Sequence, residues 1–309
     1  MIGTITLNPS IDQNILVDRL VKDDANRAKA IHVTAGGKGI NVSKVVRELG
    51  GRTKAYALLG GFTGEYLKDL ARPLDFQLVA EPVRGSTRVN TVLTDLKDDT
   101  QTRVSAPGPV ISAGEVERFT RRLLAARPKP FVWALGGSIC PGMRPSVYRQ
   151  LIRRLQKNGT PCVLDTDGEA LKLGVEARPF MIKPNEYEMQ RLCGRPLKSM
   201  EDYLLAARHW VRAGVGLVVV SLGAKGALFA DAGQLFHASS PAVEVRSNVG
   251  AGDSLIGGVL WGLRRKMTLA EAARWGIAAS CSAILREAPR LCLKSDIPGL
   301  LRRVKVREL

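Results

Sequence analysis

The chain is read as an α/β protein with a doubly wound, mostly parallel sheet flanked by helices and a small β-sheet lid. Three observations predict this. From about Ala30 onward, short apolar runs alternate with amphipathic segments, the rhythm of strands buried between helices. Glycine- or charge-marked motifs follow several of the apolar runs, where a parallel sheet gathers its ligand-binding loops. Two segments break the rhythm and alternate apolar with polar residues, as strands with one dry and one wet face do.

Taken in order, Met1 to Leu7 is a first strand, without the basic flank and cleavage site of a secretory leader. Ile11 to Val33 is the first alternating segment. A glycine turn then opens a helix over Asn41 to Leu49, and Lys54 to Leu59 is a strand. Arg88 to Val104 is the second alternating segment, as in Arg88-Val89-Asn90-Thr91-Val92-Leu93-Thr94. Both excursions are expected to be antiparallel lid strands, inserted within about 11–34 and 86–105 of one domain spanning 1–309. Phe131 to Leu135 is an apolar strand and Ser146 to Gln156 an amphipathic helix. Cys162 to Leu164, Phe180 to Ile182 and Leu217 to Ser221 are runs of the buried parallel type, with a helix over Ser199 to Ala213 between them. A small sheet with an apolar face needs cover, and a second subunit would supply it.

Composition narrows the function. With 45% hydrophobic and 24% charged residues, the chain can bury a sizeable core. No apolar run approaches the roughly 20 residues that span a bilayer. The five cysteines (Cys140, Cys162, Cys193, Cys281, Cys292) are scattered and never in metal-ligand spacing, which fits reduced thiols in a cytoplasm. The three histidines are isolated, which argues against a zinc site or a histidine-based triad. Lys plus Arg 46 against Asp plus Glu 29 gives a net charge of +17. Such a surface attracts anions. Its cations fall in short dispersed runs, and aromatic residues make up only 5%, leaving few platforms for stacking bases. Steering of anionic substrates is favoured over nucleic-acid binding.

The most informative stretch is Asn248-Val249-Gly250-Ala251-Gly252-Asp253-Ser254, which runs into the apolar segment Leu255 to Leu263. A small-residue loop entering a helix exposes unpaired N–H groups at the positive end of the helix dipole, a site for phosphate. Asp253 set in that turn is either a helix cap or a base that takes a hydroxyl proton during phosphoryl transfer. Four other motifs fall at strand ends: Thr6-Leu7-Asn8-Pro9-Ser10-Ile11-Asp12, Ala35-Gly36-Gly37-Lys38-Gly39-Ile40-Asn41, Lys183-Pro184-Asn185-Glu186-Tyr187-Glu188 and Ser221-Leu222-Gly223-Ala224-Lys225-Gly226. Each alone has an ordinary structural explanation as a turn, a cap or a solvated loop.

Together and in this order, over nearly the whole chain, they resemble the ribokinase-like sugar kinases, or phosphofructokinase B family. The match is to its hexose-phosphate branch of 1-phosphofructokinase, tagatose-6-phosphate kinase and the minor 6-phosphofructokinase. No P-loop stretch and no protein-kinase motif set is present. The resemblance implies an ATP- and Mg²⁺-dependent phosphotransferase acting on a hexose phosphate. It makes Asp253 the base, with the N–H groups of Gly250, Ala251 and Gly252 as the anion hole. Asp12, Gly37, Lys38 and Asn41 line the sugar pocket, with Ser138 also on the substrate side. Arg88 and Asn90 are placed near the sugar's existing phosphate, which suits a bidentate guanidinium. Arg27 is a second phosphate candidate, reaching from a neighbouring subunit's lid. Lys183, Asn185, Ser221, Gly223 and Gly226 flank the nucleotide, the helix Ile277 to Leu285 walls the adenine, and Asn185 with Glu188 acts on Mg²⁺ through water.

The chain also departs from the family. Val92 stands where many 1-phosphofructokinases have Lys. Gly136-Gly137-Ser138-Ile139-Cys140-Pro141-Gly142 replaces a Ser-Gly-Ser stretch before Pro-Pro-Gly. Asp167 stands where Ser is usual, and Arg290-Leu291-Cys292 looks more like the minor 6-phosphofructokinase. The Gly-Lys-Gly-Ile-Asn helix start tips the reading to 1-phosphofructokinase, with the other two branch members as alternatives. From another class, the alternative is a catalytically silent sugar-phosphate or nucleic-acid binder, which would have no need of Asp253.

Overall fold

A computed structural model describes residues 1–286 and 291–309; Arg290 of the Arg290-Leu291-Cys292 stretch lies outside the described residues. The chain opens with β1 (Ile2–Thr6), leaves for β2 (Ser10–Val17) and β3 (Ala28–Gly36), and returns through α1 (Lys38–Glu48) to β4 (Thr53–Leu59). It continues through α2 (Gly61–Ala71) and β5 (Gln77–Pro82), then makes a second excursion, β6 (Arg88–Asp95) and β7 (Thr100–Val104). There follow α3 (Ala113–Leu124), β8 (Trp133–Gly136), α4 (Val147–Lys157), β9 (Cys162–Asp165), α5 (Gly168–Val175), β10 (Met181–Ile182), α6 (Glu186–Cys193), α7 (Met200–Arg212) and β11 (Leu217–Ser221). The last part is β12 (Ala227–Ala230), β13 (Leu235–Ala238), α8 (Ala251–Arg264), α9 (Leu269–Ile284), α10 (Ile297–Leu301) and β14 (Val306–Glu308).

The main sheet has the order β14-β13-β12-β11-β10-β9-β8-β1-β4-β5. From β5 to β11 every pairing is parallel, and β12 to β14 add an antiparallel edge. The chain moves outward from β1 to β4 and β5, then crosses back to β8 on the other side of β1. That reversal opens a crevice beyond the carboxyl ends of β1 and β8, where open α/β sheets bind ligands. Helices cover both faces, so the strands are apolar on both. Val218 and Val220 join the core that contains Phe119, Leu151 and Leu155, while Leu217 and Val219 join the one that contains Val45, Val259 and Ile277. Helices α8 and α9 approach closely enough that a Cβ on Gly258 would lie 2.8 Å from the Gly276 Cα, so only hydrogen fits there.

The expected doubly wound α/β class is the one observed, and the small sheet is formed from the two rhythm-breaking segments in the order β3-β2-β6-β7. One expectation is corrected. The two hairpins are internally antiparallel, but β2 and β6 pair in parallel, Asp12 opposite Asn90. Each hairpin leaves the main sheet at the same end and runs out in the same direction, so the first strands of both lie side by side. Helix α1 also begins earlier than expected, at Lys38. Gly37, at φ 115°, is its N-cap, and Thr6 Oγ1 accepts the Ile40 N–H at 3.1 Å in place of a side-chain cap.

Candidate active site

Asp253 lies in the first turn of α8. Gly250 caps that helix at φ 77°, a left-handed conformation that glycine adopts without strain. A Cβ on Gly252 would come within 3.1 Å of Lys183 Nζ, so the glycine admits a lysine to the helix N-terminus. Asp253 is 7% exposed, and its Oδ2 accepts a hydrogen bond from Asn41 Nδ2 at 2.8 Å. Burial pushes its carboxyl up to about 6; Lys38 and the Asn41 bond oppose that rise, and Asp165 adds to it. A carboxyl poised there is ionised at neutral pH yet basic enough to accept a proton.

A buried ion-pair relay lies beside it. Asp165, at the end of β9, accepts from Lys38 Nζ at 2.9 Å and pairs with Lys183 Nζ at 3.4 Å. Burial alone would raise the Asp165 carboxyl, but the two ammonium groups hold it below the usual carboxylate range. Burial likewise opposes the charge of Lys38, yet Asp165, with Asp253 and Glu188 farther off, holds it above the usual lysine range. Lys38 stays cationic, a fixed positive charge of the kind that can meet an anion.

On the small-sheet side, Asp12 Oδ1 accepts from Ser10 Oγ at 2.6 Å and Asn90 Nδ2 at 3.0 Å. Its other oxygen lies where a Cβ on Gly36 would be, 1.9 Å away, so glycine at 36 is what admits the carboxylate. Arg88 donates through Nη1 to the Ala106 carbonyl and through Nη2 to the Asn8 carbonyl, each at 3.0 Å, while its Nε is buried without a partner. The guanidinium is therefore fixed, with one further N–H on each Nη. Ser138 Oγ accepts from Asn8 Nδ2 at 3.2 Å. Arg27 lies exposed before β3.

Ala251, Gly252 and Leu255 of α8 border a cavity of about 910 Å³. Asn185, Ser221, Gly223 and Gly226 also line it. Ile277, Cys281 and Ile284 of α9 and Pro241, Val243 and Val245 add apolar wall, a lining suited to an apolar ring. Asn185 and Glu188 form a reciprocal cap on α6: Asn185 Oδ1 accepts the Glu188 N–H at 2.8 Å and Glu188 Oε2 accepts the Asn185 N–H at 2.9 Å. Among the described residues no three His, Cys, Asp or Glu side chains gather into a direct metal-binding cluster.

Three polar residues of the site were not singled out in sequence. Asp165 ends an apolar run, a signal that neighbouring Asp167 drew away; Asp167 is the exposed N-cap residue of α5. Asn8 ties Pro107 and Ser138 to the end of β1. Lys44 lies on α1 two turns below the glycine turn.

The pfkB carbohydrate kinase family matches residues 2–296 of this chain. The chain belongs to that family. It is 32% identical over 309 residues to the 1-phosphofructokinase of Bacillus subtilis (strain 168), covering 100% of both chains. It is equally 32% identical over 311 residues to the 1-phosphofructokinase of Escherichia coli (strain K12), covering 99% of this chain and 98% of the relative. Among solved structures, phosphofructokinase-2 from Escherichia coli in complex with potassium superposes with a TM-score of 0.93 at 32% identity, over 97% of this chain and 98% of that one. The same protein in complex with fructose-6-phosphate gives 0.91 at 31% identity, over the same shares. The fold is thus the ribokinase-like one, and the chain is a carbohydrate kinase. No helix among the described residues is long and apolar enough to cross a membrane.

Proposed function

We propose that this chain transfers the γ-phosphoryl group of ATP to a hydroxyl of a hexose phosphate, with fructose 1-phosphate as acceptor and fructose 1,6-bisphosphate as product. The observation that supports the reading is the setting of Asp253, which bonds Asn41, feels the charge of Lys38 and directly follows Gly252 in the wall of the 910 Å³ cavity. The acceptor hydroxyl gives its proton to Asp253 as its oxygen attacks the γ-phosphorus and ADP leaves. The N–H groups of Gly250, Ala251 and Gly252 meet the charge on the transferring group, and Lys38 and Lys183 add fixed positive charge.

The nucleotide lies in the cavity, with its ring against α9 and its phosphates towards Gly252. Asn185 and Glu188 fit a magnesium ion that arrives on those phosphates and is held through water, since their cap leaves Glu188 Oε1 without a bond among the described residues. When bound, Mg²⁺ neutralises phosphate charge and orients the ATP tail. Arg88 and Asn90 face the phosphate already on the sugar, with Ser138 beside them. The small sheet acts as a lid over the sugar and as the contact between two subunits of a homodimer. Five free cysteines fit a reducing cytoplasm.

The likeness to phosphofructokinase-2 supports 6-phosphofructokinase as a second reading, with tagatose-6-phosphate kinase behind it. The two ends of a fructofuranose present similar outlines, so one or two hydroxyl contacts separate these acceptors. A coupled ADP-release assay over fructose 1-phosphate, fructose 6-phosphate, tagatose 6-phosphate, fructose and ribose tests the proposal. The highest kcat/KM is expected with fructose 1-phosphate. A preference for an unphosphorylated sugar would overturn the hexose-phosphate reading.

A further inference from the structure

Helix α1 carries polar side chains at Lys38, Asn41 and Lys44, spaced three residues apart and so stacked along one side of the helix. Lys38 bonds Asp165 and Asn41 bonds Asp253. The third reaches back to the small sheet. Lys44 Nζ donates to the Ala35 carbonyl at 2.5 Å and to Thr34 Oγ1 at 3.3 Å. Thr34 is the direct cross-strand partner of Asp12. Lys44 therefore joins the helix that holds the base to the strand pair that holds the sugar-side carboxylate.

The covalent joint between these parts is Gly36-Gly37, two residues that by themselves leave the angle between sheet and helix weakly specified. Both oxygens bonded to Lys44 are uncharged, which is poor compensation for a half-buried ammonium between α1 and β3. Burial draws that ammonium down to about 8, and Asp12 and Asp253 pull it the other way. A methionine would fill the same space without the penalty. What the lysine adds is a fixed link and a positive charge between two carboxylates.

We propose that Lys44 is a positioning residue, which holds the strands bearing Asp12 at a set distance and angle from the Asn41–Asp253 pair. The proposal rests on the reading of Asp12 as a sugar contact and Asp253 as the base. Lys44 touches neither the reacting atoms nor the nucleotide cavity, so its loss acts on sugar binding and alignment.

The test compares Lys44→Met and Lys44→Arg with wild type by steady-state kinetics for both substrates, and by hydrogen exchange of the amides in β3. Lys44→Met is expected to raise the KM for the hexose phosphate about tenfold, the scale of one charge-assisted hydrogen bond, and to lower kcat. The KM for ATP stays within about twofold, β3 exchanges faster, and Lys44→Arg recovers most of both changes. Equal losses for ATP and sugar phosphate, or no recovery in Lys44→Arg, would overturn the proposal, as would a Lys44→Met enzyme matching wild type in sugar KM and β3 exchange. If Lys44→Met does not fold, Thr34→Val replaces it. That variant is expected to raise only the sugar-phosphate KM, and an unchanged KM counts against the link. A wild-type enzyme inactive on every hexose phosphate would instead sink the functional reading, while β3 exchange would still report on the link.

Discussion

Asn41 donates its side-chain amide to Asp253 Oδ2 over 2.8 Å, joining the helix after the glycine turn to the helix after the Gly-Ala-Gly-Asp loop. The bond leaves Oδ1 of the carboxylate for a proton and fixes the rotamer of the base. It also ties the residue proposed to bind sugar to the one proposed as base, so that the two move together. Near attack geometry, an ångström of misplacement is worth orders of magnitude in rate, so on the proposed reading this bond aligns the base with the sugar.

Asp253→Asn is expected to retain fold and nucleotide binding and to lose kcat by roughly 10²–10⁴-fold, the contribution of a general base. In the wild type, the acid limb of kcat/KM should fall near pH 6, where Asp253 of the free enzyme is half protonated. The same substitution changes stability with a definite sign. Above pH 6 the carboxyl is ionised in both the folded and unfolded chains, and the folded chain bears its burial. Below about pH 4 it is protonated in both, and the difference vanishes. Asp253→Asn should therefore be more stable than wild type at pH 8 by about 3 kcal/mol, with the gap closing as pH falls from 6 to 4. Denaturant melts at the two pH values measure this. Turnover within a few-fold of wild type would reduce Asp253 to a helix cap.

Glu188→Gln separates two roles of one side chain. Glutamine can still accept the Asn185 N–H, so the cap on α6 and the melting temperature should change little. The Mg²⁺ concentration for half-maximal rate should rise and kcat should fall, because a negative charge near the metal's water shell is gone. A normal Mg²⁺ titration combined with weakened sugar binding would contradict the assignment.

Much of this architecture leaves a mark in sequence because it depends on residues that have few substitutes. Gly37 and Gly250 take positive φ, and Gly36 and Gly252 admit a carboxylate and a lysine, so both loops are visible as glycine clusters. The parallel strands are legible because burial on both faces demands unbroken apolar runs. What stayed hidden depends on partners far away in the chain. The parallel pairing of β2 with β6 is decided by where both hairpins leave the main sheet, which no local pattern encodes. Strands β12 to β14 are too short, four residues or fewer, to show a period. Asp165 reads as the end of a strand until Lys38 and Lys183 are seen to converge on it.

The small sheet should join two subunits. Ile31, Val89 and Val104 share the face opposite Asp12 and Asn90 and are 52%, 37% and 58% exposed. A sheet this small with an apolar face is stable only when covered. Light scattering at micromolar protein should give a dimer, and Ile31→Lys with Val104→Lys should give a monomer with raised sugar-phosphate KM. A fully active wild-type monomer would remove the idea.

Arg88→Gln should distinguish a phosphorylated acceptor from a plain one. The guanidinium is fixed by the carbonyls of Asn8 and Ala106, so its remaining N–H groups are already aimed before substrate arrives. If they fork the sugar's phosphate, their removal costs a charge-assisted contact of roughly 1.5–3 kcal/mol, a ten- to hundredfold change. The change should fall on the KM for the hexose phosphate, because the reacting hydroxyl is at the other end of the sugar, against Asp253. The KM for ATP should barely move, since Arg88 is absent from the walls of the cavity proposed for the nucleotide. Arg88→Lys should recover only part of the loss, keeping the charge without the planar fork. A wild-type enzyme that prefers free fructose or ribose, together with an unaffected Arg88→Gln variant, would overturn the hexose-phosphate assignment and leave the carbohydrate kinase fold standing.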